Sequence, residues 1–86
     1  MTPAAYEVVR DEIAVNCAAG YLADDPTGLI SLLEAIDELA RNPRPSSATF
    51  LAPADLRRLR AGRYRVLHEV ADVESRVTII HLGRRR

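Results

Sequence analysis

The sequence predicts an α+β domain of order β-α-α-β-β-β, with a helical hairpin packed on one face of a mainly antiparallel four-stranded sheet. Three features carry that expectation. Residues 26–41 repeat apolar side chains at the three-to-four spacing of a helix. Residues 56–82 alternate polar and apolar positions between short turn signals, as the strands of a meander do. The break Asp24-Asp25-Pro26 parts two helical stretches so briefly that they must form a hairpin.

Residues 5–10, AYEVVR, join an aromatic residue to two valines without glycine or proline and suit a short strand. From Asp11 to Ala23 the pattern turns helical. Ile13, Cys17 and Tyr21 recur at i, i+4 and i+8, with Ala14, Ala18 and Leu22 beside them, while Gly20 weakens the helix. Asp25 can cap the second helix and complement its dipole, and Pro26 suits the first position, where no amide donor is needed. That helix is expected from Pro26 to Arg41. Leu29, Leu32, Leu33, Ile36, Leu39 and Ala40 form its buried stripe, and Asn42-Pro43 ends it.

Residues 42–55, NPRPSSATFLAPAD, hold three prolines and two serines and read as loop. Leu56–Arg60 follows as an unevenly alternating strand, then Ala61-Gly62-Arg63 as a hairpin turn. Tyr64–Val70 and Arg76–Leu82 are strong strands around the turn Ala71–Ser75. The last three strands form a meander, and the first joins the same sheet once the helical hairpin has crossed it. Residues 1–86 make one small domain.

Composition narrows the function classes. The single cysteine, Cys17, cannot form an internal disulfide. It suits a small buried position and a reducing, cytoplasmic setting. No segment approaches the ~20 apolar residues of a membrane span, and the acidic N-terminus lacks the form of a secretory signal. His68, His81 and Cys17 have no metal-ligand spacing, no glycine-rich phosphate loop is present, and no cofactor is expected.

Formal net charge is zero, but the charge is divided. Residues 1–40 carry one base and eight acids, whereas residues 41–86 carry eleven arginines and four acids. Strand alternation puts Tyr64, Val66, His68 and Val70 on one side and Arg65, Leu67 and Glu69 on the other. In the last strand it groups Val77, Ile79, His81, Gly83 and Arg85 against Thr78, Ile80, Leu82 and Arg84. Leu56, Arg58 and Arg60 share a side. If Arg58, Arg65, His81 and Arg85 face one way, they make a cationic surface on the helix-free face. Arginine suits such a surface, because its planar fork donates two parallel hydrogen bonds to a phosphate and stays charged. A solvated basic face with scattered acid partners is the alternative.

The segment LRRLRAGRYRVLHEVADVESRVTIIHLGRRR resembles the C-terminal half of RelE/ParE-family toxins. Its pieces are Leu59-Arg60, Gly62, the strand opening Tyr64-Arg65, and the ending Leu82-Gly83-Arg84-Arg85. The upstream strand, helices and LARNPRP also look similar, so the resemblance spans nearly the whole chain. It implies the toxin of a type II toxin–antitoxin system, neutralised by a cognate antitoxin that covers the basic surface. Many RelE-like members are mRNA interferases that cut mRNA on the ribosome without a metal. ParE-like members instead poison DNA gyrase.

By resemblance Arg65 and Arg85 match transition-state and phosphate-binding arginines, and Arg58 stands where RelE has a lysine. Arg57, Arg60, Arg63 and Arg84 are further candidates for RNA phosphates. Two departures stand out. Leu56 occupies the place of a second catalytic lysine, and no tyrosine or histidine follows Gly83, where some ribonuclease members have one. Arginine is a poor proton shuttle, which leaves His81 and Glu69 for acid–base work. Each also fits a structural role, His81 as a polar residue in a half-buried strand and Glu69 as an ion-pair partner. His68 falls on the helix-packed side and reads as structural. The resulting readings are a ribosome-dependent endoribonuclease, a gyrase inhibitor, and a homologue without activity.

Overall fold

The computed structural model describes residues 5–85. Strand β1 (Glu7–Arg10) leads into helices α1 (Glu12–Asp24) and α2 (Pro26–Glu38). Strands β2 (Ala48–Ala52), β3 (Leu56–Ala61), β4 (Tyr64–Ala71) and β5 (Arg76–Arg84) follow. They form one sheet in the order β1-β5-β4-β3-β2, with β1 parallel to β5 and every other pair antiparallel. The predicted architecture is present with one strand more than expected. The addition, β2, is ATFLA, which lies inside the proline-rich segment read as loop and pairs with β3.

The helix boundary signals act as expected. Asp25 Oδ1 accepts from Gly28 N at 3.1 Å and Pro26 opens α2. The far end tightens sooner than the apolar stripe suggests. Leu39, Ala40 and Arg41 donate backbone N–H groups to residues three earlier, so regular helix stops at Glu38. Gly62 supplies the positive φ (61°) that the turn between β3 and β4 requires.

Both helices lie on one sheet face, and their seam is the core. Leu29, Leu32, Ile36 and Leu39 of the α2 region meet Leu59, Val66, Val77, Ile79 and Leu82, all buried. At about 25 cal/mol per Å² of apolar area removed from water, this seam is the main stabilising term. Helix α1 turns differently from the reading of its period. Ala14, Cys17, Ala18 and Tyr21 face inward, whereas Ile13 and Leu22 are exposed. Strand β5 also departs from simple alternation. Leu67 pairs with His81 and His68 with Ile79, which makes Ile80 a bulge. The bulge reverses the alternation. Val77, Ile79 and Leu82 therefore all point into the core, where strict period two would have sent Leu82 the other way.

At one end of the sheet a polar chain ties the turns together. Tyr6 Oη donates to Asp72 at 2.6 Å, Arg44 bridges Asp72 (2.9 Å) and Asp55 (2.6 Å), and Arg57 reaches Asp55 at 2.6 Å. The Tyr6 hydroxyl and Arg44 hold the Asp72 carboxyl below its ordinary pKa. Burial pulls Asp55 upward, but its bonds from Arg57 and Arg44 outweigh this and keep it low. Among the described residues no helix is long and apolar enough to cross a membrane.

Candidate functional site

The helix-free face of the sheet is assembled by register. One row across β5, β4 and β3 reads Gly83, Arg65, Arg60, and the next row, continued into β2, reads His81, Leu67, Arg58, Thr49. Arg65 stands on this face because its neighbours Tyr64 and Val66 are drawn into the core on the other. A shallow, open depression of about 310 Å³ lies over these rows, lined by Leu51, Arg58, Arg65, Leu67, His81 and Gly83.

The depression brings together Arg58, Arg65 and His81. Arg85 follows β5 and is held by its N–H to the Arg63 carbonyl at 2.6 Å. Alternation past Gly83 sends Arg84 to the helix side and Arg85 to the open side. Glu69 is on the open face one step away, in register with Leu56 and Thr78, and outside the depression.

Ion pairing sorts the arginines. Among the described residues Arg10, Arg41, Arg44, Arg57, Arg76 and Arg84 pair with carboxylates. Arg58, Arg60, Arg63, Arg65 and Arg85 form no such pair among the described residues. Arg60 and Arg65 even stand directly opposite each other across β3 and β4. Facing like charges are unfavourable in a sheet, and a bound anion relieves them.

Two of the phosphate-binding candidates are placed elsewhere. Arg57 shares the helix-covered side with His68, its register partner; there it pairs with Asp55 and lies 5.7 Å from the Phe50 ring centroid. Arg84 pairs with Asp24 and lies 5.0 Å over the Tyr21 ring. Both guanidiniums are engaged in holding the fold together. Arg63, in the β3–β4 turn, is near enough to Asp25 to help hold its carboxyl low. The larger causes of that depression are the Tyr64 hydroxyl and the Gly28 amide. Arg60 remains on the open face beside Arg65.

His68 is fully buried, with Nε2 3.1 Å from the Pro43 carbonyl, and burial pushes its pKa down. It is a core residue, as its alternation implied. Leu67 lies beside Arg65 in the depression, as alternation implied, whereas Leu51, which completes its apolar side, was not anticipated. The signal for Leu51 was the proline-free run ATFLA, whose aromatic and β-branched residues suit a strand. Chemically the site presents guanidiniums, one imidazole and a small apolar wall to a single open surface. That combination suits a phosphodiester carrying a base or sugar.

Comparison with known proteins adds three findings. The family model "ParE toxin of type II toxin-antitoxin system, parDE" matches residues 22–86. A direct comparison with curated proteins returns no match. Among solved structures, the chain is similar to one from a RelBE toxin–antitoxin complex of Mycobacterium tuberculosis, at 23% identity and TM-score 0.80, over 94% of this chain and 99% of that one. It is similar to the isolated E. coli RelE toxin at 21% identity and TM-score 0.80, over 95% of this chain and 86% of that one. It is also similar to a chain of the archaeal RelE–RelB complex from Pyrococcus horikoshii, at 26% identity and TM-score 0.74, over 94% and 96%.

Proposed function

The chain belongs to the RelE/ParE family of type II toxin–antitoxin toxins, and on that premise we propose that its open arginine face binds and cuts mRNA on the ribosome. The observation that carries this reading is the convergence of Arg58, Arg65 and His81 on one depression, with both guanidiniums free of carboxylate partners among the described residues. In the proposed reaction a ribose 2′-oxygen attacks the adjacent phosphorus, its proton passes to His81, and the bond to the 5′-oxygen breaks. A cyclic phosphate and a free 5′-hydroxyl result, the leaving oxygen taking a proton from solvent. Arg65 and Arg85 stabilise the charge that grows on the phosphorane oxygens, and Arg58 holds the flanking backbone. No step calls for a metal.

A cognate antitoxin is the natural partner. The RelE chains of Pyrococcus and E. coli were solved with RelB bound. By analogy this chain's antitoxin neutralises it by covering the open face, where its unpaired arginines would meet acidic side chains.

Expression without antitoxin, followed by mapping of new mRNA 5′ ends, tests the proposal. New cuts within translated codons are expected, and growth arrest without them would refute it. One observation favours a gyrase-directed toxin instead. The depression is partly leucine-lined and contains a single side chain suited to shuttling protons, with Leu56 outside it. Inhibited DNA supercoiling with intact mRNA would select that reading.

A further inference from the structure

Gly83 is the next-to-last residue of β5, still paired with Arg65 on β4, and glycine within a strand weakens it. Three circumstances normally require glycine at such a place: a positive φ, crowding by the protein's own atoms, or close approach by something else. The first is absent, since Gly62 is the one glycine with positive φ among the described residues. The second is absent too. A Cβ built at Gly83 would meet only His81 Cε1, at 3.9 Å, an ordinary contact. The fold would therefore accept alanine without adjustment.

What surrounds the vacant position is informative. Arg65 is its register partner on β4, and His81 is two residues back on the same face. Arg85 is two residues ahead, on the same side by alternation. The missing side chain thus lies beside Arg65 and His81, with Arg85 two residues on, and the position forms part of the lining of the depression.

We propose that Gly83 is the seat of the reacting phosphodiester: the bare strand lets an RNA phosphate settle against the backbone, within reach of Arg65, Arg85 and His81 together. A side chain there would hold the phosphate off the sheet and away from at least one of its partners. The inference rests on the reading of the open face as an RNA site, and it names where on that face the ligand makes its closest approach.

The test uses purified protein and a short single-stranded RNA of mixed sequence, with Arg65→Ala as reference. Gly83→Ala should melt at an equal or higher temperature than the parent, because a strand gains from losing glycine. It should bind the RNA at least about 10-fold more weakly, the effect of one added methyl in a tight contact. Gly83→Val should bind more weakly still. If both Gly83 variants bind normally while Arg65→Ala does not, the seat is elsewhere and the proposal fails alone. A lower melting temperature for Gly83→Ala would also overturn it, since glycine would then serve the fold. If Arg65→Ala binds as the parent does, the reading of the whole face fails and the seat with it.

Discussion

Tyr64 Oη donates to Asp25 Oδ2 at 2.9 Å, joining the first residue of β4 to the turn between the two helices. The Tyr64 ring is buried and packs edge-on against Tyr21, with centroids 5.3 Å apart. Asp25 also caps α2 through Gly28 N. The Tyr-Arg pair thus divides its work by strand alternation. Tyr64 fastens the end of β4 to the helical layer, and Arg65 projects from the opposite face at a fixed place.

Removing that fastening should loosen the fold and change how Asp25 titrates. The Tyr64 hydroxyl, then the Gly28 amide, hold the Asp25 carboxyl below its ordinary range. The stabilisation linked to this depressed pKa is complete above the unfolded value of about 3.9 and is lost as pH falls through the lower folded value. Tyr64→Phe should raise the Asp25 pKa toward its ordinary value, lower the urea midpoint at neutral pH, and weaken the acid dependence below about pH 4. NMR titration of Asp25 and urea melts at two pH values would show both effects. An unmoved Asp25 would mean that the hydroxyl contributes nothing.

Arginines on the two faces should fail in opposite ways. Arg65 is exposed and forms no ion pair among the described residues, whereas Arg84 pairs with Asp24 and covers Tyr21. Arg65→Ala should leave the melting temperature nearly unchanged and, if the open face cuts RNA as proposed, lower cleavage by about 100-fold, as loss of a transition-state charge donor does. It should also reduce the slope of log affinity against log salt by about one. Arg84→Ala should lower the melting temperature and leave the salt slope as it was. Parallel thermal melts and salt-series binding curves separate the two, and matching profiles would contradict the assignment of faces.

The buried histidine makes a prediction in a different pH window. Burial depresses the His68 pKa, and its Nδ1 has no hydrogen-bond partner among the described residues. Above the unfolded value of about 6.5 the imidazole is neutral in both states and costs nothing. Below it the unfolded chain takes up a proton that the core refuses, so stability falls as pH drops toward the folded value. His68→Gln can still donate to the Pro43 carbonyl and should flatten the pH dependence of the urea midpoint below about 6.5. An equally steep loss in the variant would place the acid sensitivity in other groups.

Much of this was legible in the sequence, and the exceptions have physical causes. The hairpin, its Asp25-Pro26 boundary and the inward run Tyr64, Val66, His68, Val70 follow from period and capping chemistry, which act locally. Strand β2 was obscured because Pro43, Pro45 and Pro53 flank it, and a strand of five residues gives little pattern. The bulge at Ile80 left no local mark. Only packing shows that Val77, Ile79 and Leu82 can share the core across it. Alternation already parts Arg84 from Arg85 and Arg57 from Arg58, and only their shared charge makes Arg57 and Arg84 candidates for phosphate. Their carboxylate partners, Asp55 and Asp24, become visible only once the chain is folded.

His81 decides between an active nuclease and a toxin that binds without cutting. It is the one imidazole in the depression, exposed on β5, in register with Leu67 and beside Gly83. Arginine keeps its proton throughout the working pH range, so the guanidiniums around it can hold charge but cannot accept the 2′ proton. If the RNA is cut here, His81→Asn should lower the cleavage rate by about 100-fold while the affinity for uncut RNA changes little. Arg58→Ala should do the reverse, weakening affinity more than the rate at saturation, if it holds backbone rather than reacting atoms as proposed. Single-turnover cleavage over a range of enzyme concentrations separates the two parameters. Equal loss of binding in both variants would make His81 part of the docking surface and leave the chemistry without a proton acceptor.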